Sequence, residues 1–241
     1  MRRQDNIQKL LDRGIRVFSF IGEAGGGKSE LALHFAGVIA EGGERPVHLI
    51  DMDQTKPVFR LRNVVSREEL EEENIRFHAG RDFLDIPVTL AGIKTMMEDE
   101  TGVVVIDIGG NPSGAVQVGQ YAALFERSDA IAFLVLNYYR PYSQRGEDLK
   151  NTIETYSALM RMPLTHIISN PNLGKQTTVQ DIYFGNRELE KELSKWDYTV
   201  DFICLEEGRK DPLLDSWADR IIEISPKITY VLSERNGNET I

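Results

Sequence analysis

The chain has one cysteine among its 241 residues, Cys204. A single cysteine excludes an internal disulfide and a cluster of thiolate metal ligands, so we expect a reducing compartment. Cys204 lies inside the apolar run VDFICL, which is typical of a buried strand residue rather than of a reactive thiol. The cysteine content therefore predicts a cytoplasmic location.

Long apolar runs and an excess of basic residues are also missing. The run AIAFLVL is too short to cross a bilayer, and no apolar signal core follows Arg2 and Arg3. The formal net charge is −10, from 28 basic and 38 acidic residues. Nucleic acids and anionic membranes are negatively charged and repel an acidic protein, which weakens non-specific binding. We therefore expect neither as a partner.

The most informative stretch of the sequence runs from Arg16 to Ala40. It begins with RVFSFI, which alternates as a short buried strand does, and it ends with SELALHFAGVIA, which has helical apolar spacing. Between the two lies GEAGGGKS, which has the glycine, lysine and serine spacing of a phosphate-binding loop. Strand, loop and helix follow in the order that this motif requires, so the sequence predicts a nucleoside triphosphate site.

Each residue type in the loop has a chemical reason. Glycines leave backbone N–H groups open to phosphate oxygens, and a helix that begins near Lys28 adds its N-terminal dipole. Lys28 is predicted to reach the β- and γ-phosphates, and the Ser29 hydroxyl to complete a magnesium shell. The predicted nucleotide contacts are Gly22, Glu23, Ala24, Gly25, Gly26, Gly27, Lys28, Ser29 and Glu30.

Acidic residues end two further predicted strands. Asp51 and Asp53 lie at the end of the strand predicted over 47–52, and Asp107 ends the apolar run VVVID. The carboxyl ends of strands face the ligand in a doubly wound sheet, and Mg²⁺ prefers oxygen ligands. Ser29, Asp51, Asp53 and Asp107 are therefore the predicted magnesium ligands. The alternative is that each aspartate only caps the turn that follows it.

Short apolar strands alternate with helices along most of the chain. This alternation predicts right-handed crossovers and a parallel sheet. We expect an α/β fold with three layers, doubly wound around a mostly parallel sheet of about seven strands. Because we find no internal linker, residues 1–241 are expected to form one domain, with an N-terminal helix over about 4–13 and a frayed tail over about 234–241.

Three features together carry a family resemblance: the loop GEAGGGKS, the pair Asp51 and Asp53, and the stretch from Asp107 to Gly110. With them the chain resembles the MinD/ParA/nitrogenase-iron-protein group of P-loop ATPases, which includes cobyrinic-acid-synthase-like nucleotide-binding domains. The resemblance implies that Asp53 belongs to a first switch, where it positions water and magnesium. It implies that Asp107 belongs to a second switch, whose glycine senses the γ-phosphate. It also implies that Asn170 contacts adenine; from the residues alone, Asn170 is equally a turn residue before a proline.

One position departs from the pattern of that group. Its members have a second lysine at the second position of the loop, where this chain has Glu23. A carboxylate repels a triphosphate if it points inward, so either Glu23 points away or another cation compensates. The candidate cations follow strands on the expected ligand edge and are Lys56, Arg60, Arg62 and Arg140.

The expected nucleotide is ATP with Mg²⁺. GTP-specific domains usually present N-K-x-D, whose aspartate reads guanine, whereas this chain has NPNL from Asn170 onward. We expect a slow ATPase with Lys28, Asp53 and Asp107 as catalytic residues, acting as a nucleotide-dependent switch for a protein partner. A homodimer is a further expectation. Two alternatives stay open: an ATP-dependent small-molecule kinase or ligase, and an adaptor that binds nucleotide without hydrolysing it.

Overall fold

The computed structural model describes residues 5–43, 45–52, 67–79, 90–110, 115–116, 119–120, 122–125 and 129–227. Asp53, Lys56, Arg60, Arg62 and the predicted tail over 234–241 lie outside the described residues.

Within the described ranges, eight strands form one parallel sheet. Most are aliphatic or aromatic and buried on both faces, as a parallel sheet between two helical layers requires. The strands are β1 Val17–Ile21, β2 Val47–Asp51, β3 Ile75–Ala79, β4 Val103–Asp107, β5 Ala130–Leu136, β6 His166–Ser169, β7 Phe202–Glu206 and β8 Ile221–Ile224. Their order is β3-β2-β4-β1-β5-β6-β7-β8, which confirms the predicted doubly wound sheet.

Helices cover both faces of the sheet. The α-helices are α1 Asp5–Asp12, α2 Lys28–Glu41, α3 Arg67–Glu72, α4 Leu90–Glu98, α5 Ala122–Phe125, α6 Gly146–Met160 and α7 Val179–Leu193. Short 3₁₀ segments span Pro141–Ser143, Ser194–Trp196 and Pro212–Arg220. One hydrophobic cluster joins α1, α2 and α3 to one face, and a second joins α4, α5, α6 and α7 to the other. The three predicted layers are therefore confirmed.

The strand β8 is an element that the sequence did not indicate, beside the predicted sheet of about seven strands. The sequence after residue 212 predicts only short helices and a weak element over 228–234, which lies outside the described residues. In the structure β8 pairs with β7, and Ile222 and Ile224 are buried while the two residues that alternate with them are half-buried. Because only two residues of this short strand enter the core, its signal in the sequence is weak.

A cluster of phenylalanine rings fixes α2 over the centre of the sheet. The ring centroids of Phe20 in β1 and Phe35 in α2 are 4.9 Å apart, and those of Phe20 and Phe133 in β5 are 5.9 Å apart. Aromatic pairs at such distances add to the stability gained by burial. This packing fixes the beginning of α2, and with it the loop that precedes the helix, at the carboxyl edge of the sheet.

Two further observations bear on the class of protein. Cys204 lies in β7 and is buried, and burial raises the pKa of its thiol, so the predicted buried cysteine is confirmed. Among the residues that the structure describes, no helix combines the length and apolar character that a membrane span needs.

Candidate functional site

The parallel strands bring the predicted site residues to one edge of the sheet. The loop that starts at Gly22 follows β1, Asp51 ends β2, Asp107 ends β4 and Asn170 follows β6. Because β2, β4, β1, β5 and β6 are consecutive neighbours in the sheet, these strand ends lie in one row. Ligands of open α/β sheets bind at this edge.

The loop between β1 and α2 has a backbone that depends on glycine. Gly22 has φ 141°, Gly25 φ 78° and Gly27 φ 96°, a region that L-residues rarely adopt. A Cβ atom on Gly22 would lie 2.4 Å from the carbonyl oxygen of Val135, and one on Gly27 only 2.1 Å from the side-chain nitrogen of Asn170. Conformation and space therefore both require glycine at Gly22 and Gly27.

The helix α2 begins directly after this loop. Gly27 is its N-cap, in a left-handed conformation, and no side chain caps the first turn. The first N–H groups of an α-helix have no partner within the helix, and they carry the positive end of its dipole. The start of α2 therefore offers the backbone donors that an anionic group needs.

Three side chains hold the carbonyl groups of the loop. Lys28 Nζ donates to the Glu23 carbonyl at 2.9 Å, Asn170 Nδ2 donates to the Gly26 carbonyl at 2.8 Å, and Arg140 Nε donates to the Gly25 carbonyl at 3.3 Å. A C=O group and the N–H group of the same peptide point in opposite directions. The Asn170 side chain binds the Gly26 carbonyl, so the N–H group of the same peptide, that of Gly27, points away from Asn170.

Lys28 lies inside the site, next to Gly110. Gly110 ends the stretch from Asp107 that the sequence predicts to sense the γ-phosphate. Lys28 is only 2% exposed. A Cβ atom on Gly110 would lie 2.9 Å from Lys28 Nζ and 2.9 Å from the backbone nitrogen of Ala24. An ammonium has three N–H donors, so Lys28 can hold the loop and a phosphate oxygen together. The structure thus brings the predicted sensor glycine against the loop.

Two predicted magnesium ligands lie side by side. Asp51 and Asp107 are register partners in neighbouring strands and are 6% and 1% exposed. Leu49 and Val105, two residues earlier in the same strands, belong to the cluster under α2. Strand alternation therefore places both carboxylates on the α2 side of the sheet, the side on which Ser29 begins the helix.

This donor set fits magnesium held with a nucleotide. Mg²⁺ is usually bound by one or two carboxylates together with substrate phosphates and water. Asp51, Asp107 and the Ser29 hydroxyl supply such oxygens. The described residues contain no group of three or more histidine, cysteine or acidic side chains that could hold a metal ion. In a site of this kind, phosphate oxygens and water complete the shell.

Glu23 lies near other site residues. It is half-buried; burial raises the pKa of its carboxyl, and the charge of Lys28 partly offsets the rise. The Tyr156 hydroxyl donates to the Gly110 carbonyl at 3.3 Å, and its pKa is raised by burial and then by the charge of Glu23. Glu23 is therefore close enough to both side chains to affect the electrostatics of the site.

Asparagine side chains form a network that the sequence did not reveal. Asn137 Nδ2 donates to the Asn172 carbonyl at 2.8 Å, and Asn137 Oδ1 accepts from the N–H groups of Tyr139 and Asn172. Asn170 contacts the loop separately, by its side-chain bond to the Gly26 carbonyl, and its backbone N–H donates to the Leu136 carbonyl, next to Asn137. The available signal was position: Asn137 is the first polar residue after the buried run AIAFLVL. The contact of Asn170 with adenine, which the family resemblance implies, stays a prediction.

Two charged side chains near the loop have contacts in the described structure. The Glu30 carboxylate accepts a hydrogen bond from the backbone N–H of Lys227 in the C-terminal segment, and its predicted contact with nucleotide stays a prediction. Arg140, the one described residue of the four candidate cations, lies against the loop at Gly25. The other three, Lys56, Arg60 and Arg62, lie outside the described residues and stay predictions.

A small cavity lies between the ends of β6 and β7. Its volume is about 30 Å³, and its lining includes Asn170, Asn172, Thr177, Glu206 and Arg209. Arg209 forms an ion pair with the Glu206 carboxylate and donates to the Thr177 carbonyl. The cavity adjoins the loop through Asn170.

No protein-family model matches the chain, and no curated protein matches it. Solved structures do match. Chloroplast FtsY from Physcomitrella patens has a TM-score of 0.51 at 14% identity, over 92% of this chain and 69% of that one. FtsY from Mycoplasma mycoides has a TM-score of 0.50 at 13% identity, over 86% and 69%. The signal recognition particle 54 kDa protein from Aeropyrum pernix K1, in complex with GDP, has a TM-score of 0.49 at 16% identity, over 79% of this chain. The chain spans 41% of the length of that protein.

The sheet, the glycine loop and the two FtsY matches define the class: the chain has the fold of P-loop NTPases. At 13% and 14% identity the likeness concerns the fold alone. The narrower assignment to the MinD/ParA group stays a prediction from the sequence.

Proposed function

We propose that the chain binds ATP with Mg²⁺, hydrolyses it slowly and acts as a nucleotide-dependent switch for a protein partner. The partner can be a second copy of the chain, which would make a homodimer. The proposed location is the cytoplasm. One observation carries the proposal. The loop GEAGGGKS is an open turn at the start of α2, with buried Lys28 inside it and the carboxylates of Asp51 and Asp107 on the same side of the sheet.

The chemistry of such a site is mainly positioning and charge stabilisation. The N–H groups at the start of α2 and the Lys28 ammonium would bind the phosphate oxygens. Ser29, Asp51 and Asp107 would hold Mg²⁺, which when bound supplies further positive charge to the phosphates. Asp53, outside the described residues, stays the predicted residue for orienting water.

The contacts of Gly110 support the switch. Its backbone lies against the Ala24 N–H and the Lys28 ammonium, two groups that a γ-phosphate would also bind. Tyr156 of α6 holds the Gly110 carbonyl. A phosphate that moves this segment would therefore also disturb α6, and a partner in contact with α6 would sense whether the γ-phosphate is present.

The choice of base has a second candidate. The segment from Asn170 to Leu173 has no carboxylate to accept the hydrogen bonds of guanine, and this supports ATP. GTP is the second candidate, because Glu206 at the end of β7, near Asn170, has the acceptor chemistry that guanine requires; in the structure its carboxylate pairs with Arg209.

Calorimetric titration with MgATP tests the proposed site. The wild-type chain is expected to bind, and Lys28→Ala to bind at least about a hundredfold more weakly, with an unchanged circular dichroism spectrum. Lys175→Ala, which removes an exposed lysine after β6, is the matched control and should bind as the wild type does. Equal affinity of the Lys28→Ala and wild-type chains would refute the site assignment.

A competition experiment tests the nucleotide and the reaction. ATP is expected to displace a labelled ATP analogue at least about tenfold better than GTP does, and phosphate release should be slow. A preference for GTP that disappears in Glu206→Gln would assign GTP. Phosphate on an organic acceptor would favour a kinase or ligase, and tight binding without turnover would favour an adaptor.

A further inference from the structure

We propose that Arg140 is a second phosphate-directed cation of this site, placed against the loop by the segment after β5. The inference rests on the proposed nucleotide function. It concerns how the bound triphosphate is held, and it starts from the position of one guanidinium group.

The Arg140 guanidinium lies on the loop at Gly25. Its Nε donates to the Gly25 carbonyl at 3.3 Å. A Cβ atom on Gly25 would lie 2.8 Å from Arg140 Nε and 2.9 Å from both Cζ and Nη2. The planar group therefore covers the place that a side chain at Gly25 would occupy. A glycine at this position is what allows the guanidinium to come so close.

The backbone that carries Arg140 is fixed on both sides. The Arg140 N–H donates to the Asn137 carbonyl at 2.9 Å, and the Arg140 carbonyl accepts from Ser143 N–H at 3.0 Å. Pro141 begins the 3₁₀ turn that follows. Asn137 is in turn tied to Asn172. The Cα atom of Arg140 is therefore held in a fixed position relative to the loop, so binding does not have to order the backbone that carries the cation.

The charge of Arg140 is not paired within the described part of the chain. There, no carboxylate lies within ion-pair distance of its guanidinium, although the chain is strongly acidic, with a net charge of −10. A guanidinium has five N–H donors, and the bond to Gly25 uses one of them. Within the described residues the other four donors have no hydrogen-bond partner, and the Arg140 side chain is exposed, at a loop whose other donors suit phosphate.

A second cation also answers the local electrostatics. Glu23 contributes a carboxylate near Lys28, and a negative charge there weakens the attraction of a single lysine for a triphosphate. Arg140 contacts the loop at Gly25, two residues after Glu23. Contact with a phosphate oxygen would add a charge-assisted hydrogen bond that the loop backbone does not supply.

Three variants separate a charge contact from a structural brace. Arg140→Gln removes the charge but keeps an N–H donor that can reach the Gly25 carbonyl. Arg140→Lys keeps the charge without the planar fork. Arg145→Gln removes an exposed arginine five residues later, before α6, and is the matched control for net charge. The dissociation constant for MgATP is measured calorimetrically for each at low, physiological and high salt, beside wild type and Lys28→Ala.

We expect Arg140→Gln to weaken MgATP binding about tenfold at low salt, with a flatter dependence on salt, because the lost contact is a screened charge interaction. Arg140→Lys should stay within about threefold of wild type, and Arg145→Gln should match it. The inference would be overturned if Arg140→Gln kept the wild-type affinity for MgATP and the wild-type salt dependence. It would also be overturned if Arg140→Lys or Arg145→Gln lost as much affinity as Arg140→Gln does. If the wild-type chain binds no nucleotide, the proposed function itself fails, and the two failures are thus distinguished.

Discussion

The environment of Asp107 shows how burial gives a single residue its role. Asp107 faces Asp51 in register on the neighbouring strand, and both are almost fully buried. Two nearby carboxylates repel each other, and burial adds a desolvation cost to each charged form. A divalent cation next to them relieves both effects. On a solvent-exposed turn, water would solvate the same two carboxylates, and a cation would add little to their stability.

Replacement of Asp107 tests this role. Asn has nearly the same shape but a neutral side chain, so Asp107→Asn should reduce the ratio of ATP affinities with and without Mg²⁺ about tenfold. Calorimetric titrations in Mg²⁺ and in EDTA measure this ratio. Asp51→Asn and the double variant show whether both carboxylates act on one ion, because the effects will then not add. An unaltered ratio in Asp107→Asn would remove Asp107 from the site.

At the scale of elements, α2 joins the site to the packing of the molecule. Its first residues form the phosphate end of the loop, and Phe35 in its middle packs on Phe20 and Phe133. His34 lies beside Phe35 and is partly buried; burial lowers its pKa to about 4, and the charge of Lys227 lowers it further while Glu41 and Glu207 oppose the shift. The folded protein therefore keeps this imidazole neutral over most of the acid range.

The lowered pKa of His34 predicts a loss of stability on mild acidification. An unfolded histidine titrates near 6.5, so between about 6.5 and about 4 the unfolded chain binds a proton that the folded chain does not. Stability should fall over this window as the pH decreases. Between pH 7 and pH 5, the free energy of unfolding should fall by about 1–2 kcal/mol less in His34→Gln than in the wild type. Urea denaturation measures this difference. From pH 7 to pH 8, the difference in the free energy of unfolding between the two proteins should stay constant. If it also stayed constant down to pH 5, the lowered pKa of His34 would be contradicted.

At the scale of the whole molecule, the two edges of the sheet have separate tasks. The carboxyl edge carries the loop and the carboxylates, whereas the amino edge is held by Arg16, which is buried. Its guanidinium donates to the Met97, Asp99 and Gly102 carbonyls and pairs with Asp129 at 2.9 Å. Arg16 thereby joins the turn between α4 and β4 to the start of β5.

Loss of this network should affect stability without affecting the site. Arg16→Met removes the charge and leaves several acceptors without their donor, so the free energy of unfolding should fall by about 3–5 kcal/mol and the melting temperature by roughly 10 °C. MgATP affinity at low temperature should stay at the wild-type value, since the site lies at the opposite edge. Arg13→Met, an exposed arginine in the turn after α1, is the control. A melting temperature unchanged in Arg16→Met would show that this network does not hold the amino edge.

Residues close together in the sequence determined the central part of this protein. Glycines with positive φ, a lysine and a serine at fixed spacing, and a buried strand and a helix on either side are all local features, so GEAGGGKS predicted the loop and α2. The alternation of apolar strands with helices likewise predicted the layers and the parallel sheet, because it records which faces must be buried.

Only the tertiary structure decided which distant residues complete the site. Asn170 is 144 residues from Gly26, and Arg140 is 115 residues from Gly25; no local periodicity connects them. The strand order places β4 between β2 and β1 and so sets Asp51 beside Asp107. Such contacts depend on strand order and register, which result from the packing of the whole chain. The contact of Arg140 with the loop at Gly25 is one of them.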